Sequence, residues 1–296
     1  MSNYDDILNN SPAGGQSGGQ LSKEDFAAKK KAERDDVYAL ADNTALAVAG
    51  DGGKFQQYLD MQSKFGRYSA VNTLLIMAQK PEATRVADFD KWKERGGSVR
   101  GGATSFAILE SKEYAKDDGS PAIGYDVKKV FDISQVDTRK MEAPPPQPTY
   151  TDRQILQALI SKAPMKISGI DSLSGDLGAY TDHDTGEIFV RKGMEFADTF
   201  RSVAQELCYS AVEHDGSNTT DPTFTAHSAA YILCKKNGID THKFDFKDAP
   251  RMFEGFEAKD VKQELSAIRD AADSVAERMA KQLDAVQKAA RSEDAR

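Results

Sequence analysis

The segment from Asp198 to Glu213 constrains the fold of this chain more than any other stretch. Its apolar side chains recur at spacings of i, i+3, i+4, i+7, i+8 and i+11, at Phe200, Val203, Ala204, Leu207, Cys208 and Ala211. This spacing predicts an α-helix that buries one face and exposes the other. At the edge of the apolar stripe, Gln205 and Tyr209 lie four residues apart and therefore share a face, with Glu206 between them.

Gln205, Glu206 and Tyr209 occupy the positions at which a zinc peptidase helix carries His, Glu and His. In such a helix the two histidines bind the metal, and the glutamate polarises the water bound to it. Only the glutamate is present here, and Gln and Tyr are poor zinc ligands. The sequence therefore predicts no zinc site and no catalytic residue on this helix, with Glu206 as a vestige.

The composition favours a soluble protein of one large or two modest domains. The chain has 296 residues, of which 39% are hydrophobic and 29% are charged. No apolar run approaches the roughly 18 residues that a transmembrane helix needs, and the polar N-terminus predicts no signal peptide. Both cysteines, Cys208 and Cys234, fall on predicted apolar helix faces, which favours reduced core thiols over a disulfide. These features predict a cytoplasmic protein with no membrane association.

Five segments follow from the pattern along the chain. Residues 1–20 are rich in Gly, Asn and Ser and are predicted to be disordered. Residues 21–141 alternate helices with strand candidates, and Ser22, Ser69 and Asp88 are predicted helix caps. The proline-rich run at 142–148 is interpreted as a linker. Residues 149–257 form a second domain, and residues 258–296 form a long C-terminal helix.

The sequence of the C-terminal helix allows two interpretations. Its apolar residues alternate steps of four and three, at Val261, Leu265, Ile268, Ala272, Val275 and Met279. This pattern is typical of a coiled-coil seam, which would give the helix a protein partner. The apolar run is short for a coiled coil, however, which favours the other interpretation, a helix that packs against its own domain.

The first half of the chain resembles a known family of DNA-binding domains. The resemblance rests on an ordered series of short matches, which are Tyr58-Leu59, Ser63-Lys64-Phe65, Tyr68-Ser69, Asn72-Thr73-Leu74-Leu75-Ile76, Gln79-Lys80-Pro81, Trp92-Lys93 and Gly97-Ser98-Val99-Arg100. These residues are similar to the N-terminal single-stranded-DNA-binding domain of ArdC-type antirestriction proteins, which is also found in LtrC-like proteins. The family usually has a Lys-Gly-Glu-Lys-Gly turn after these residues, whereas the uncharged run at 101–105 replaces it here.

The second half resembles the zincin-like metallopeptidase domain that follows in those proteins. On this resemblance, the family's two helix histidines correspond to Gln205 and Tyr209, and its glutamate ligand corresponds to His227. All three metal-ligand positions therefore differ, and the resemblance implies a degenerate site without zinc. The implied fold class is α+β, with an N-terminal helical and β-hairpin domain, a zincin-like C-terminal domain and a long C-terminal helix.

The positive charge of the chain is concentrated where the resemblance implies DNA binding. Between Lys54 and Leu109 there are nine Lys or Arg and five Asp or Glu, although the net charge of the chain is −8. Proteins hold single strands with cations along the backbone and with aromatic rings that stack on bases. The predicted single-stranded-DNA-binding residues are Lys64, Arg67, Tyr68, Asn72, Arg85, Trp92, Lys93 and Arg100.

The leading hypothesis is a non-catalytic single-stranded-DNA-binding protein of a plasmid, conjugative element or phage. The resemblance implies an antirestriction-like role, in which the protein protects or processes incoming DNA by occupying it. Two alternatives remain from other classes. One is an interaction protein that uses the degenerate cleft and the C-terminal helix, and the other is a residual metallopeptidase with nonstandard ligands.

Overall fold

The computed structural model of this protein describes residues 22–116, 118–144, 148–212 and 220–294. The segment predicted to be disordered, at 1–20, and the centre of the proline-rich run lie outside the described residues. The helices are α1 Lys23–Ala49, α2 Gly52–Lys64, α3 Ala70–Gln79, α4 Phe89–Glu94, α5 Asp152–Ile160, α6 Phe196–Val212, α7 Pro222–Lys236, α8 Ala249–Met252 and α9 Ala258–Asp294. The strands are β1 Val86–Ala87, β2 Ser98–Val99, β3 Phe106–Ala115, β4 Pro121–Asp132, β5 Val136–Asp137, β6 Lys166–Ile170, β7 Ala179–Asp182 and β8 Glu187–Arg191.

Local side chains define the starts of the N-terminal helices. Ser22, Ser69 and Asp88 each accept a hydrogen bond from the backbone N–H three residues ahead, so the three predicted caps of α1, α3 and α4 are confirmed. Each bond satisfies one of the N–H groups that a helix start leaves without an intrahelical partner. Asp51 caps α2 in the same way. The short loops between these helices follow directly from these caps.

A long antiparallel hairpin dominates the strands of the first half. β3 pairs with β4 along its whole length, and β4 also pairs with β1, which gives the order β1-β4-β3. The glycines at 101 and 102 form a turn between β2 and β3, as the sequence predicts. The two strands on either side of that turn do not pair with each other, however, because β2 pairs with β5 in a separate small sheet. The fold class is α+β.

The second half places helices against a three-stranded sheet of order β6-β8-β7. Strands β7 and β8 form a hairpin through residues 184–186, because they are antiparallel with Asp182 opposite Glu187. Strand β6 is parallel to β8 and had no sequence signal. The predicted apolar stripe of α6 faces the core, with Phe200, Leu207 and Cys208 at most 1% exposed. Both cysteines are buried free thiols, as expected.

The long C-terminal helix packs against its own chain. Its predicted apolar stripe is buried, with Val261, Leu265 and Ile268 each 0% exposed. Helix α9 contacts α1, α5, α6 and α7, and these helices cover the stripe. The coiled-coil interpretation is therefore wrong for this face, and the stripe offers no free surface to a protein partner. None of the helices in the described ranges is long and apolar enough to span a bilayer.

The largest hydrophobic cluster of the described residues draws on both sides of the proline-rich run. Phe55 of α2 lies 5.4 Å from Phe246 and 5.6 Å from Phe253 between ring centroids. Leu59 and Leu74 belong to the same cluster as residues of α6, α7 and α9. Helices α2 and α3 therefore pack directly on the second half. The domain boundaries at 141 and 149 stay a prediction.

Candidate functional site

A cleft of about 780 Å³ opens on the first half of the molecule. Val86, Ile108 and Val130 from the β1-β4-β3 sheet form its apolar floor. The loop between α2 and α3 forms one wall, and the start of α4 forms another. Buried Gln62 stabilises the loop wall, because its side-chain amide donates to the carbonyl oxygens of Phe65 and Tyr68 at 3.4 and 3.3 Å.

Basic side chains outnumber acidic ones around this cleft. Seven cationic residues line it, and they are Lys64, Arg67, Arg85, Lys91, Arg95, Lys128 and Lys236. Within the part of the chain that the structure describes, two carboxylates line it, Asp88 and Glu110. In a concave site, such an excess of one sign raises the local concentration of ligands of the opposite sign.

The two carboxylates are both paired with one lysine. The Lys128 ammonium lies 3.0 Å from Asp88 and also forms an ion pair with Glu110. Hydrogen bonds to both carboxylates raise the pKa of Lys128. Among the described residues, the remaining first-half cations of the cleft have no carboxylate within 4.0 Å, and they are Lys64, Arg67, Arg85, Lys91 and Arg95. The cleft therefore retains unneutralised positive charge that can bind an anionic ligand.

A buried carboxylate positions the backbone of Arg85. The Oδ1 atom of Asp132 accepts hydrogen bonds from the N–H groups of Thr84 and Arg85 at 2.8 and 3.0 Å. Its Oδ2 atom accepts one from the N–H of Ser134 at 2.9 Å. Burial alone would raise the pKa of Asp132, but these hydrogen bonds outweigh it and hold the pKa below the ordinary value. Asp132 is therefore an ionised anchor under the rim of the cleft.

Tyr68 is a predicted stacking residue that lines the cleft. It is half-buried, its ring lies edge-on to Phe65 at 5.9 Å, and its hydroxyl donates to the carbonyl of Val86 at 3.0 Å. Burial raises the pKa of Tyr68, so the hydroxyl stays protonated near neutral pH. The hydroxyl hydrogen bond fixes the ring in one position, which suits a stacking surface.

Trp92, which was predicted to stack on bases, is instead a core residue. It is 0% exposed, and its Nε1 donates to the carbonyl of Phe131 at 2.9 Å. It packs with Ala87 and Val136 under the small β2-β5 sheet. Burial of a large aromatic ring stabilises a protein more than exposure of the ring to solvent does. The local sequence does not show whether such a ring is buried or is exposed for stacking. The stacking role of Trp92 is therefore wrong in this structure.

Asn72, also predicted to bind DNA, uses its amide within the fold. Its Nδ2 donates to the carbonyl of Leu109 and its Oδ1 accepts the N–H of Leu109, both at 2.8 Å. Gln79 makes the same pair of bonds with Ala107. Asn72 borders the cleft, but its polar atoms already have partners, so it is a structural residue.

Lys93 and Arg100 lie outside the cleft. Both are exposed, and Arg100 donates from Nη1 to the carbonyl of Ser134 at 3.3 Å. The prediction missed four cations of the cleft, which are Lys91, Arg95, Lys128 and Lys236. Lys91 and Arg95 carry the i, i+4 signal of a shared helix face, which could have indicated them. No local signal marks Lys128 or Lys236, because distant parts of the chain bring them to the cleft.

Two of the three predicted metal-site positions, Gln205 and His227, are in contact in the second half. The Nδ1 atom of His227 on α7 lies 3.1 Å from Oε1 of Gln205 on α6. Burial lowers the pKa of His227, which keeps the imidazole neutral near pH 7. Beside this pair is a small pocket of about 170 Å³, which Arg201, Lys243 and Phe244 also line.

Glu206 and Tyr209 have other partners near this pair. Thr181 on β7 donates a hydrogen bond to Oε2 of Glu206 at 2.6 Å. The ring of Tyr209 lies edge-on to His183, with 5.8 Å between centroids. Gln205 and His227 therefore form a polar pair between α6 and α7, whereas Glu206 is hydrogen-bonded to the β6-β8-β7 sheet.

Residues 49–143 match the family model described as the N-terminal domain of the anti-restriction factor ArdC. This segment of the chain is therefore similar to the ArdC N-terminal domain. The matched segment includes α2 to α4, β1 to β5 and six of the seven cations that line the cleft. The basic cleft therefore lies mainly in the segment that matches the ArdC N-terminal domain. The seventh cation, Lys236, comes from outside that segment.

Two crystal structures of the antirestriction protein ArdC from plasmid R388 are similar to the chain. The metal-free structure is 16% identical, with a TM-score of 0.49, and the match covers 72% of this chain and 86% of that one. The Mn(II)-bound structure is 18% identical, with a TM-score of 0.47, and the match covers 72% and 85%. No curated protein matches the sequence.

Gln205, Tyr209 and His227 do not fit a metal ion of the zincin kind. A catalytic zinc site needs three protein ligands that are imidazole, carboxylate or thiolate groups. Gln205, Tyr209 and His227 supply one imidazole, and a nitrogen of that imidazole faces Gln205. Within the described ranges, no three His, Cys, Asp or Glu side chains form a group that could hold a metal ion.

Proposed function

We propose that this protein binds single-stranded DNA in the basic cleft and protects incoming DNA of a mobile element from restriction. The observation that carries the proposal is the excess of cations at the cleft, seven against two carboxylates. Phosphate contacts from Lys and Arg supply most of the affinity of sequence-independent nucleic-acid binding. The description of the family as an anti-restriction factor supports the biological role.

The shape of the cleft favours an unpaired strand over a duplex. Its volume of about 780 Å³ is in the range of sites that enclose one small ligand, so it holds a few nucleotides at a time. The apolar floor and the ring of Tyr68 offer surfaces for bases that have left the stack. The bases of a duplex are paired and stacked, so they could not reach the apolar floor or the ring of Tyr68, and a duplex would contact the cleft only through its phosphates.

We propose that the protein acts by occupying DNA rather than by cleaving a substrate. Peptide hydrolysis of the zincin kind needs a metal to activate water, and the residues at the degenerate site supply one imidazole where three ligands are needed. Glu206 has its own partner in Thr181, at 2.6 Å. The second half then serves as a scaffold on which α2 and α3 pack.

A salt titration of the full chain tests the binding proposal. Fluorescence anisotropy with a labelled oligothymidine should give an affinity that falls roughly 100-fold between 50 and 200 mM salt, if about five cations contact phosphates. A duplex of equal length should bind more weakly. Affinity that does not change with salt, or duplex binding as tight as single-strand binding, would contradict the proposal.

A transfer assay tests the biological role. Unmodified plasmid DNA should enter a restricting host more efficiently when the wild-type protein is present. The Arg85→Ala and Lys91→Ala double variant, which removes two cations of the cleft, should give less protection. Equal protection by the two proteins would separate the antirestriction effect from the cleft.

A further inference from the structure

Lys236 reaches the basic cleft from outside the ArdC N-terminal domain. It lies at the end of α7 in the second half of the chain, yet it lines the cleft with Arg67 and Gly66. A Cβ atom added to Gly66 would lie 2.9 Å from the Lys236 Nζ. The ammonium group therefore lies directly over the backbone of the α2–α3 loop.

The second half fixes the position of this ammonium group. Asp273 on α9 accepts a hydrogen bond from the Lys236 Nζ at 2.6 Å, and the Lys236 side chain is 22% exposed. Asp273 also lies 3.4 Å from Nε of Arg269. Helices α7 and α9 pack along each other through the main core, so Asp273 and Lys236 belong to a rigid unit.

The neighbouring lysine has a different role. Lys235 pairs with Asp60 of α2 at 2.9 Å and lies 5.8 Å from the ring centroid of Tyr231. It does not line the cleft. One helix end thus carries two lysines, each paired with an aspartate of another helix, and only one of them faces the cleft.

We infer that Lys236 contacts a backbone phosphate of the bound single strand, so that the DNA site spans both halves of the chain. This inference rests on the proposed function. An ammonium group has three donors, and one of them engages Asp273. The other two are available to a phosphate that lies between Lys236 and Arg67 on the loop wall. The second half of the chain thereby contributes to DNA binding through a named side chain rather than only through packing.

Matched substitutions in the full chain test the inference, with oligothymidine as the probe. Lys236→Ala should weaken binding roughly three- to tenfold and should reduce the salt slope by about 0.7, the value for one phosphate contact on a single strand. Lys235→Ala, which also removes one lysine and one ion pair, should change the affinity less than twofold.

Lys236→Arg keeps the charge and should bind nearly as well as wild type. Thermal melting of each variant verifies that it is folded, and Lys236→Gln replaces Lys236→Ala if the latter melts early.

The outcomes separate this inference from the proposed function. If wild type binds oligothymidine with a steep salt dependence and Lys236→Ala behaves like Lys235→Ala, the inference is wrong and the proposed function stands. If wild type shows no salt-dependent binding, the proposed function itself is wrong. A reduced slope in Lys236→Ala, together with recovery in Lys236→Arg, supports the inference.

Discussion

Asp132 accepts the backbone N–H of Arg85 at 3.0 Å, so a carboxylate that is 1% exposed holds the residue that carries a cleft cation. The same carboxylate also engages the N–H groups of Thr84 and Ser134. Replacing Asp132 by Asn removes the negative charge and leaves one N–H without an acceptor. We expect Asp132→Asn to lower the free energy of unfolding by about 1–3 kcal/mol, measured by urea denaturation at pH 7.

The pH dependence of stability gives a second test of this carboxylate. The pKa of Asp132 is lower in the folded state than its ordinary value of 3.8, so its ionised form stabilises the fold above that value. The contribution should be lost as the pH falls through the folded pKa. The difference in free energy of unfolding between wild type and Asp132→Asn should therefore stay constant above about pH 5 and shrink below it. A difference that grows on acidification would contradict this assignment.

The cations inside and outside the cleft should differ in their effect on DNA binding. Arg85→Ala with Lys91→Ala removes two cations that line the cleft, and should reduce the salt slope for oligothymidine by roughly 1.4. Lys93→Ala with Arg100→Ala removes the same charge from exposed positions outside it. This control pair should reduce the slope by less than half as much, as measured by anisotropy. Equal effects of the two pairs would mean that the cleft is not the DNA site.

Trp92 should affect stability rather than DNA binding. Trp92→Phe keeps most of the buried ring but leaves the carbonyl of Phe131 without its donor. We expect a loss of about 1–3 kcal/mol in the free energy of unfolding and an unchanged affinity for oligothymidine at temperatures where the variant is folded. Tyr68→Ala is the contrasting variant, because Tyr68 lines the cleft, and it should weaken binding. An affinity loss in Trp92→Phe with unchanged stability would restore the stacking role.

The degenerate site should accept zinc once its ligand types are restored. The triple variant Gln205→His, Tyr209→His and His227→Glu places imidazole and carboxylate groups at the three positions where the resemblance implies metal ligands. We expect this variant to bind about one zinc ion per chain by metal analysis, and wild type to bind much less. Stoichiometric zinc in purified wild type would show that the present residues hold a metal in another arrangement. DNA binding should be the same in both proteins.

Local patterns predicted the helices of this protein and their starts. Ser22, Ser69 and Asp88 were predicted as caps because a cap depends only on the next three residues. The apolar stripes of α6, α7 and α9 were predicted because a buried helix face repeats at a fixed spacing. The spacing does not show which other helix or strand packs against the buried face. For α9, the spacing left both a coiled coil and an internal helix open, and the packing against α1, α5, α6 and α7 decides for the internal helix.

Long-range contacts account for the parts of the candidate site that the sequence missed. Lys64, Arg67, Tyr68 and Arg85 were predicted from the resemblance and from their side-chain chemistry, and all four line the cleft. Lys128 and Lys236 arrive from β4 and α7, and their positions depend on strand pairing and helix packing. Trp92 and Asn72 were assigned to DNA because a sequence does not reveal whether a polar or aromatic side chain faces solvent or the protein interior.

The pairing of Asn72 with Leu109 and of Gln79 with Ala107 has a consequence for self-association. Strand β3 lies at the margin of its sheet, where unpaired backbone groups would recruit a strand from another molecule. The side-chain amides of Asn72 and Gln79 hydrogen-bond the backbone N–H and C=O groups of Leu109 and Ala107, as the peptide groups of a neighbouring strand would. Helix α3 thereby closes the edge of β3 at Ala107 and Leu109, so a strand from another molecule has no free peptide groups to pair with there, although the fold gains no further strand.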